Sequence, residues 1–183
     1  MKRRTKIAAL GAALLLTAGA AGSAVASGEP ERPAGEPREA AALTGSAKLY
    51  RPGHDISFSF DAHLAAKDNM HPEAASGTFR LRHVFPDGSS GWARARVDCL
   101  VTGGKVAVVT GVVEESDRWP KGRRVGVTVH DQGRHDRLGY SWAGQDPQKG
   151  DVAPCLSSAP FEKVKAGTGD FTVLPWYPEY GES

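Results

Sequence analysis

The stretch Trp92-Ala93-Arg94-Ala95-Arg96-Val97-Asp98-Cys99-Leu100-Val101-Thr102-Gly103-Gly104 sets Ala93, Ala95, Val97, Cys99 and Val101 against Arg94, Arg96 and Asp98. It resumes after the glycines as the valine-rich run Lys105–Val113. Successive side chains leave a strand on opposite sides, so this alternation predicts a strand with one buried face. Gly103-Gly104 suits a two-residue hairpin, because both central positions of such a turn accept positive φ. The stretch therefore predicts two antiparallel strands, and it decides the fold class.

The same period extends in both directions. Ile56, Phe58, Phe60, Ala62 and Leu64 alternate with Ser57, Ser59, Asp61 and His63, and Phe79, Leu81 and Phe85 with Thr78, Arg80 and Arg82. Pro86-Asp87-Gly88-Ser89-Ser90 carries turn chemistry. Beyond a loop at Ser116–Gly122, Val125, Val127 and Val129 form one face. The turn Asp131–Arg134 then leads into Leu138, Tyr140 and Trp142 on another. The pattern lapses through Gly144–Pro154, and Asp170–Leu174 offers a last short strand. No apolar run of helical period follows residue 42. The expected fold is all-β: an antiparallel meander of about seven to eight strands forming a sandwich or barrel. It occupies residues 43–178 as a single β-domain, with 179–183 as a tail.

The N-terminus reads as an address. Lys2, Arg3, Arg4 and Lys6 precede an uncharged Ala/Leu stretch that ends in Ala24-Val25-Ala26. That stretch falls short of the roughly 20 residues that span a bilayer, and its small-x-small ending predicts cleavage of residues 1–26 as a signal peptide. Residues 27–42 hold Pro30, Pro33 and Pro37 and no large apolar side chain, so they are expected to form a flexible linker. Without the four leader cations among 23 basic residues, the 21 acidic residues are in slight excess. That balance argues against nucleic acid as a partner. In an exported chain the only two cysteines, Cys99 and Cys155, predict a structural disulfide.

Candidate chemistry is sparse. Arg80, Arg82, Arg94 and Arg96 fall on the polar faces of consecutive strands and would gather into an anion-binding face if those strands pair. Alternatively they form a solvated face paired with Asp61, Asp98 or Glu114. Asp131 and Asp136 flank one turn and are a weak Ca²⁺ candidate, as against an ordinary Asp/Gly turn. His130, Asp131 and Asp136 are the scattered residues from which a small enzyme site would be built. Gly139-Tyr140-Ser141-Trp142-Ala143 approaches the nucleophile-elbow pattern, but that elbow needs a strand running into a helix. Trp119 and Trp176-Tyr177 are either sugar-stacking platforms or plugs at the ends of the fold.

Leu43–Tyr50, Val97–Ala107 and Gly167–Trp176 resemble small secreted actinobacterial proteins labelled repetin. The likeness covers the leader and nearly the whole mature domain, although the chain carries no internal repeat. Val106–Gly111 and Val125–Asp136 resemble, more loosely, β modules of large bacterial surface proteins. The resemblance implies an extracellular β protein and assigns no reaction. The expectation is a secreted, non-enzymatic β-domain, structural or binding at the cell envelope, without cofactor and detached from the membrane after leader removal. Its candidate partner is a cell-wall polymer. A carbohydrate- or anionic-polymer-binding module and a small secreted enzyme are the alternatives.

Overall fold

Among the described residues, alternating apolar residues and short turns produce nine antiparallel strands: β1 (Glu39–Lys48), β2 (Asp55–Ala65), β3 (Ser76–Val84), β4 (Ser90–Gly103), β5 (Val106–Ser116), β6 (Arg124–His130), β7 (Arg137–Tyr140), β8 (Glu162–Lys163) and β9 (Thr172–Leu174). The structure is a computed structural model that describes residues 39–142 and 151–180. The expected signal peptide at 1–26, most of the expected linker and residues 143–150 and 181–183 lie outside the described residues.

The strands form one sheet in the order β8-β7-β6-β5-β4-β3-β2-β1-β9. It curls into a half-barrel. Phe58 of β2 thereby meets Tyr140 of β7, with ring centroids 5.6 Å apart. Phe58, Leu43, Ile56, Leu64, Leu100 and Leu138 are fully buried inside the curl. Each such side chain contributes on the order of 1.5–3 kcal/mol through apolar burial. Backbone bonds also join the β8 end of the sheet to the end of β1. Leu49 bridges Val164, the Tyr50 N–H donates to the Lys163 carbonyl at 2.8 Å, and the Lys165 N–H donates to the Lys48 carbonyl at 2.7 Å.

Four expectations are corrected. First, β1 begins at Glu39, inside the stretch read as linker, and Ala41 and Ala42 are buried. Small alanines pair with Leu64 and His63 where no large apolar side chain is needed. Second, the register of β4 against β5 slips between Val97 and Cys99. Such a bulge turns every later side chain to the other face. Leu100 and Thr102 are therefore the buried positions beyond it, and Val101 is only half-buried. Third, the hairpin turns on Gly104-Lys105, with Gly103 paired to Val106. Gly104 has φ +56°, the requirement of a turn with glycine at its first central position. Fourth, β6 is buried on both faces.

The cover over the outer face of β6 and β7 is the segment 151–161. A disulfide joins Cys99 to Cys155. The Cys155 N–H donates to Thr110 Oγ1 at 3.2 Å, and the Arg124 N–H donates to Asp151 Oδ1 at 2.7 Å. Gly126 and Gly139 make the close approach possible. A Cβ on either would collide with the carbonyl of Leu156 or Ala159.

Candidate functional site

The antiparallel register of β1 to β4 builds a groove on the outer face of the sheet. One row runs Ser46, Ser59, Arg80, Arg94 and the next Lys48, Ser57, Arg82, Trp92, each residue opposite the following one on the adjacent strand. Three short serines beside two long arginines leave a trough of about 410 Å³ lined by Ser46, Ser57, Ser59, Arg80, Arg82 and Trp92. The Trp92 residue is 42% exposed. Its backbone is held by the end of β5 and the residue after it, where Asp117 Oδ1 accepts the Trp92 N–H at 2.7 Å and Ser116 Oγ donates to the Trp92 carbonyl at 2.9 Å.

The four arginines share a face but not a role. Arg94 donates to Glu115 at 2.7 Å and to Glu114 at 3.4 Å, and Arg96 pairs with Glu114 at 3.2 Å. Their charge is thereby balanced. Among the described residues, Arg80 and Arg82 have no ion-pair partner, and both are exposed. Asp98 and Asp61 do not pair with these arginines, although Asp61 shares the outer face with Ser57 and Ser59. Asp98 accepts from Arg124 Nε at 2.6 Å and from Thr110 Oγ1 at 2.7 Å, and Asp61 meets His63 at 2.8 Å. The positive end of the face is thus the β3 half, which offers exposed guanidinium donors to carboxylate or phosphate.

The turn at Asp131 and Asp136 has other work. Asp131 Oδ2 accepts from Lys105 Nζ at 2.9 Å and its Oδ1 from the Gly133 N–H at 3.3 Å, while Asp136 Oδ1 accepts the Gln132 N–H at 2.8 Å. Burial alone would raise the Asp131 carboxyl, but Lys105 and the backbone N–H groups of Gly133 and Val173 together outweigh it and hold it below its ordinary value. Burial, with the Asp131 charge added, pushes the Asp136 carboxyl upward. Among the described residues, no three His, Cys, Asp or Glu side chains converge to hold a metal. Neither His130 nor His135 bonds these carboxylates among the described residues. Ser141 follows β7, and its Oγ accepts the Gly126 N–H at 3.1 Å, so it braces two strands. Trp119 packs on the core against Trp142 at 6.3 Å. Trp176 Nε1 is bound to the Asn69 carbonyl at 2.8 Å, whereas Tyr177 stays exposed.

Three groupings escape the one-dimensional reading. Trp92 and the serines belong to the groove through register alone; the outward small residues opposite Arg80 and Arg82 were their only signal. His54 Nδ1 lies 2.8 Å from His83 Nε2, and the His83 ring stacks on Phe85 with centroids 3.9 Å apart. Burial, together with His54, Arg51 and Arg118, depresses the His83 pKa. His63 sits between Glu39 at 2.7 Å and Asp61 at 2.8 Å. Burial pulls its pKa down, but the two carboxylates outweigh it and the net shift is upward. Compared with known protein families, curated proteins and solved structures, the chain matches none. No helix among the described residues is long and apolar enough to cross a membrane.

Proposed function

We propose that this chain is a secreted, non-enzymatic β-domain that binds an anionic polymer of the cell envelope through its outer groove. The leader-like N-terminus, the disulfide and the resemblance to secreted repetin-labelled proteins support the location. The observation that carries the binding role is the pair Arg80 and Arg82, exposed and without ion-pair partners among the described residues, beside three serines and an exposed Trp92. The neighbouring carboxylates of that face are engaged elsewhere, Asp55 by Lys48 and Asp61 by His63, and two guanidinium groups on one strand face attract polyanions more than single anions, because their fields add within a Debye length of about 8–10 Å.

Sedimentation of the mature protein with isolated cell walls tests this. Wild type is expected to pellet at low salt and to be released as salt rises. Arg80→Gln/Arg82→Gln should stay in the supernatant while unfolding at the same temperature, since substitutions on an exposed face usually change stability by less than about 0.5 kcal/mol. Equal pelleting of the two proteins would remove the groove from the mechanism.

A further inference from the structure

The groove is periodic, and its period specifies a ligand. Arg80 and Arg82 occupy alternate positions of β3, so their Cα atoms are separated along the strand by about 6.8 Å. Each faces a serine on β2: Ser59 lies opposite Arg80 and Ser57 opposite Arg82. Ser46 of β1 extends the first row, and Trp92 of β4 flanks the second. The result is two similar rungs, each with one guanidinium and at least one hydroxyl, one strand repeat apart. We infer that the groove reads a linear phosphodiester chain whose negative charges repeat at the spacing of these rungs.

The chemistry matches in three respects. Six bonds separate phosphorus atoms joined through a three-carbon linker, which corresponds to two Cα–Cα spans of three bonds each, or about 7 Å when extended. A guanidinium donates two parallel bonds to a phosphate, and a neighbouring hydroxyl donates a third. The exposed face of Trp92 offers an apolar surface to the carbon linker beyond the second phosphate. A polyuronate fits less well, because a whole sugar ring separates its carboxylates and successive ones turn to opposite sides. Arg94 and Arg96 do not extend the register, being held by Glu114 and Glu115.

This inference rests on the anion-binding reading above, and its test separates the two. The mature disulfide-bonded protein is titrated with poly(glycerol phosphate), glycerol phosphate and polygalacturonate across a range of salt, binding being followed by calorimetry. Poly(glycerol phosphate) is expected to bind at least about tenfold tighter per site than the monomer. The slope of log K against log salt should be near −1.4, from about −0.7 per phosphate on a single-stranded polyanion. Arg80→Gln and Arg82→Gln should each lower that slope by about half, whereas Arg134→Gln, an exposed cation at the β6–β7 turn, should leave it unchanged. Polygalacturonate binding as tightly as poly(glycerol phosphate), or a monomer binding equally well, would overturn the spacing argument while leaving an anion site standing. Absence of binding to every polyanion would overturn both readings.

Discussion

Gly77 has φ +112°, and a Cβ at this position would fall on the Asp61 carbonyl of the neighbouring strand. Gly77→Ala is therefore expected to cost about 2–5 kcal/mol, combining backbone strain with overpacking against a main-chain atom. Gly88 also has positive φ but open space around it, so Gly88→Ala should lose only the strain part, about 1 kcal/mol. Urea midpoints measure both, and equal losses would refute the close approach. The two shifted histidines act in opposite directions with pH. The folded pKa of His83 lies below the ordinary value of 6.5, so the unfolded chain binds more protons and stability falls as pH drops through that value. The folded pKa of His63 lies above 6.5, so its contribution is present below 6.5 and is lost as pH rises through its folded value. Between pH 7.5 and 5.5, His83→Gln should lose less stability than wild type on acidification, and His63→Gln more. Urea unfolding at the two pH values reads both differences.

The element with the greatest leverage is the segment 151–161 across β6 and β7. The Cys99–Cys155 bridge closes a long loop, and restricting the unfolded chain in this way is worth about 4 kcal/mol in the chain-entropy account. The bulge at Asp98 makes the bridge possible, because it leaves both Asp98 and Cys99 on the covered outer face. There Asp98 is held by Arg124 and Thr110, and the Cys155 N–H is held by Thr110. Cys99→Ala/Cys155→Ala should lower stability by about 4 kcal/mol. It should also expose residues 151–161 to proteolysis under conditions where β2 to β5 remain protected from hydrogen exchange. If the double variant resisted the protease as wild type does, the glycine-lined seat alone would be holding the segment.

The whole molecule depends on the β8 end of its sheet being joined to the end of β1, since a long unpaired edge invites pairing with other chains. The chain does this at large sequence distance: β9 pairs with β1, and the residues after β8 pair with the end of β1. Phe171, between β8 and β9, is 5% exposed and packs edge-on against Phe60 at 5.7 Å. It couples this closure to the core. Phe171→Ala should cost about 3–5 kcal/mol, the range for a buried Phe truncation, and should promote self-association at protein concentrations where wild type is monodisperse. Calorimetry and light scattering report the two effects, and destabilisation without association would show that closure survives without the ring.

Period-two alternation is a local property, so the positions of β2 to β7, the existence of a hairpin between β4 and β5 and the all-β class were legible in the sequence, while the hairpin's central residues fell one position later than expected. So was the pairing of the only two cysteines. The common face of Arg80, Arg82, Arg94 and Arg96 also followed, because it needs only one hairpin in register. What each arginine does there was decided by the tertiary structure. Glu114 and Glu115 come from β5, the next strand of the sheet, and they balance Arg94 and Arg96 but not Arg80 and Arg82. The serines reach the groove through two further strand registers, and the His54–His83 pair through the β2–β3 register. The turn of Cys99 to the outer face required a bulge that no alternation announces. Curl, register and bulges are set by how many side chains pack at once across strands far apart in the chain. That collective packing carries no signature in any single stretch of residues.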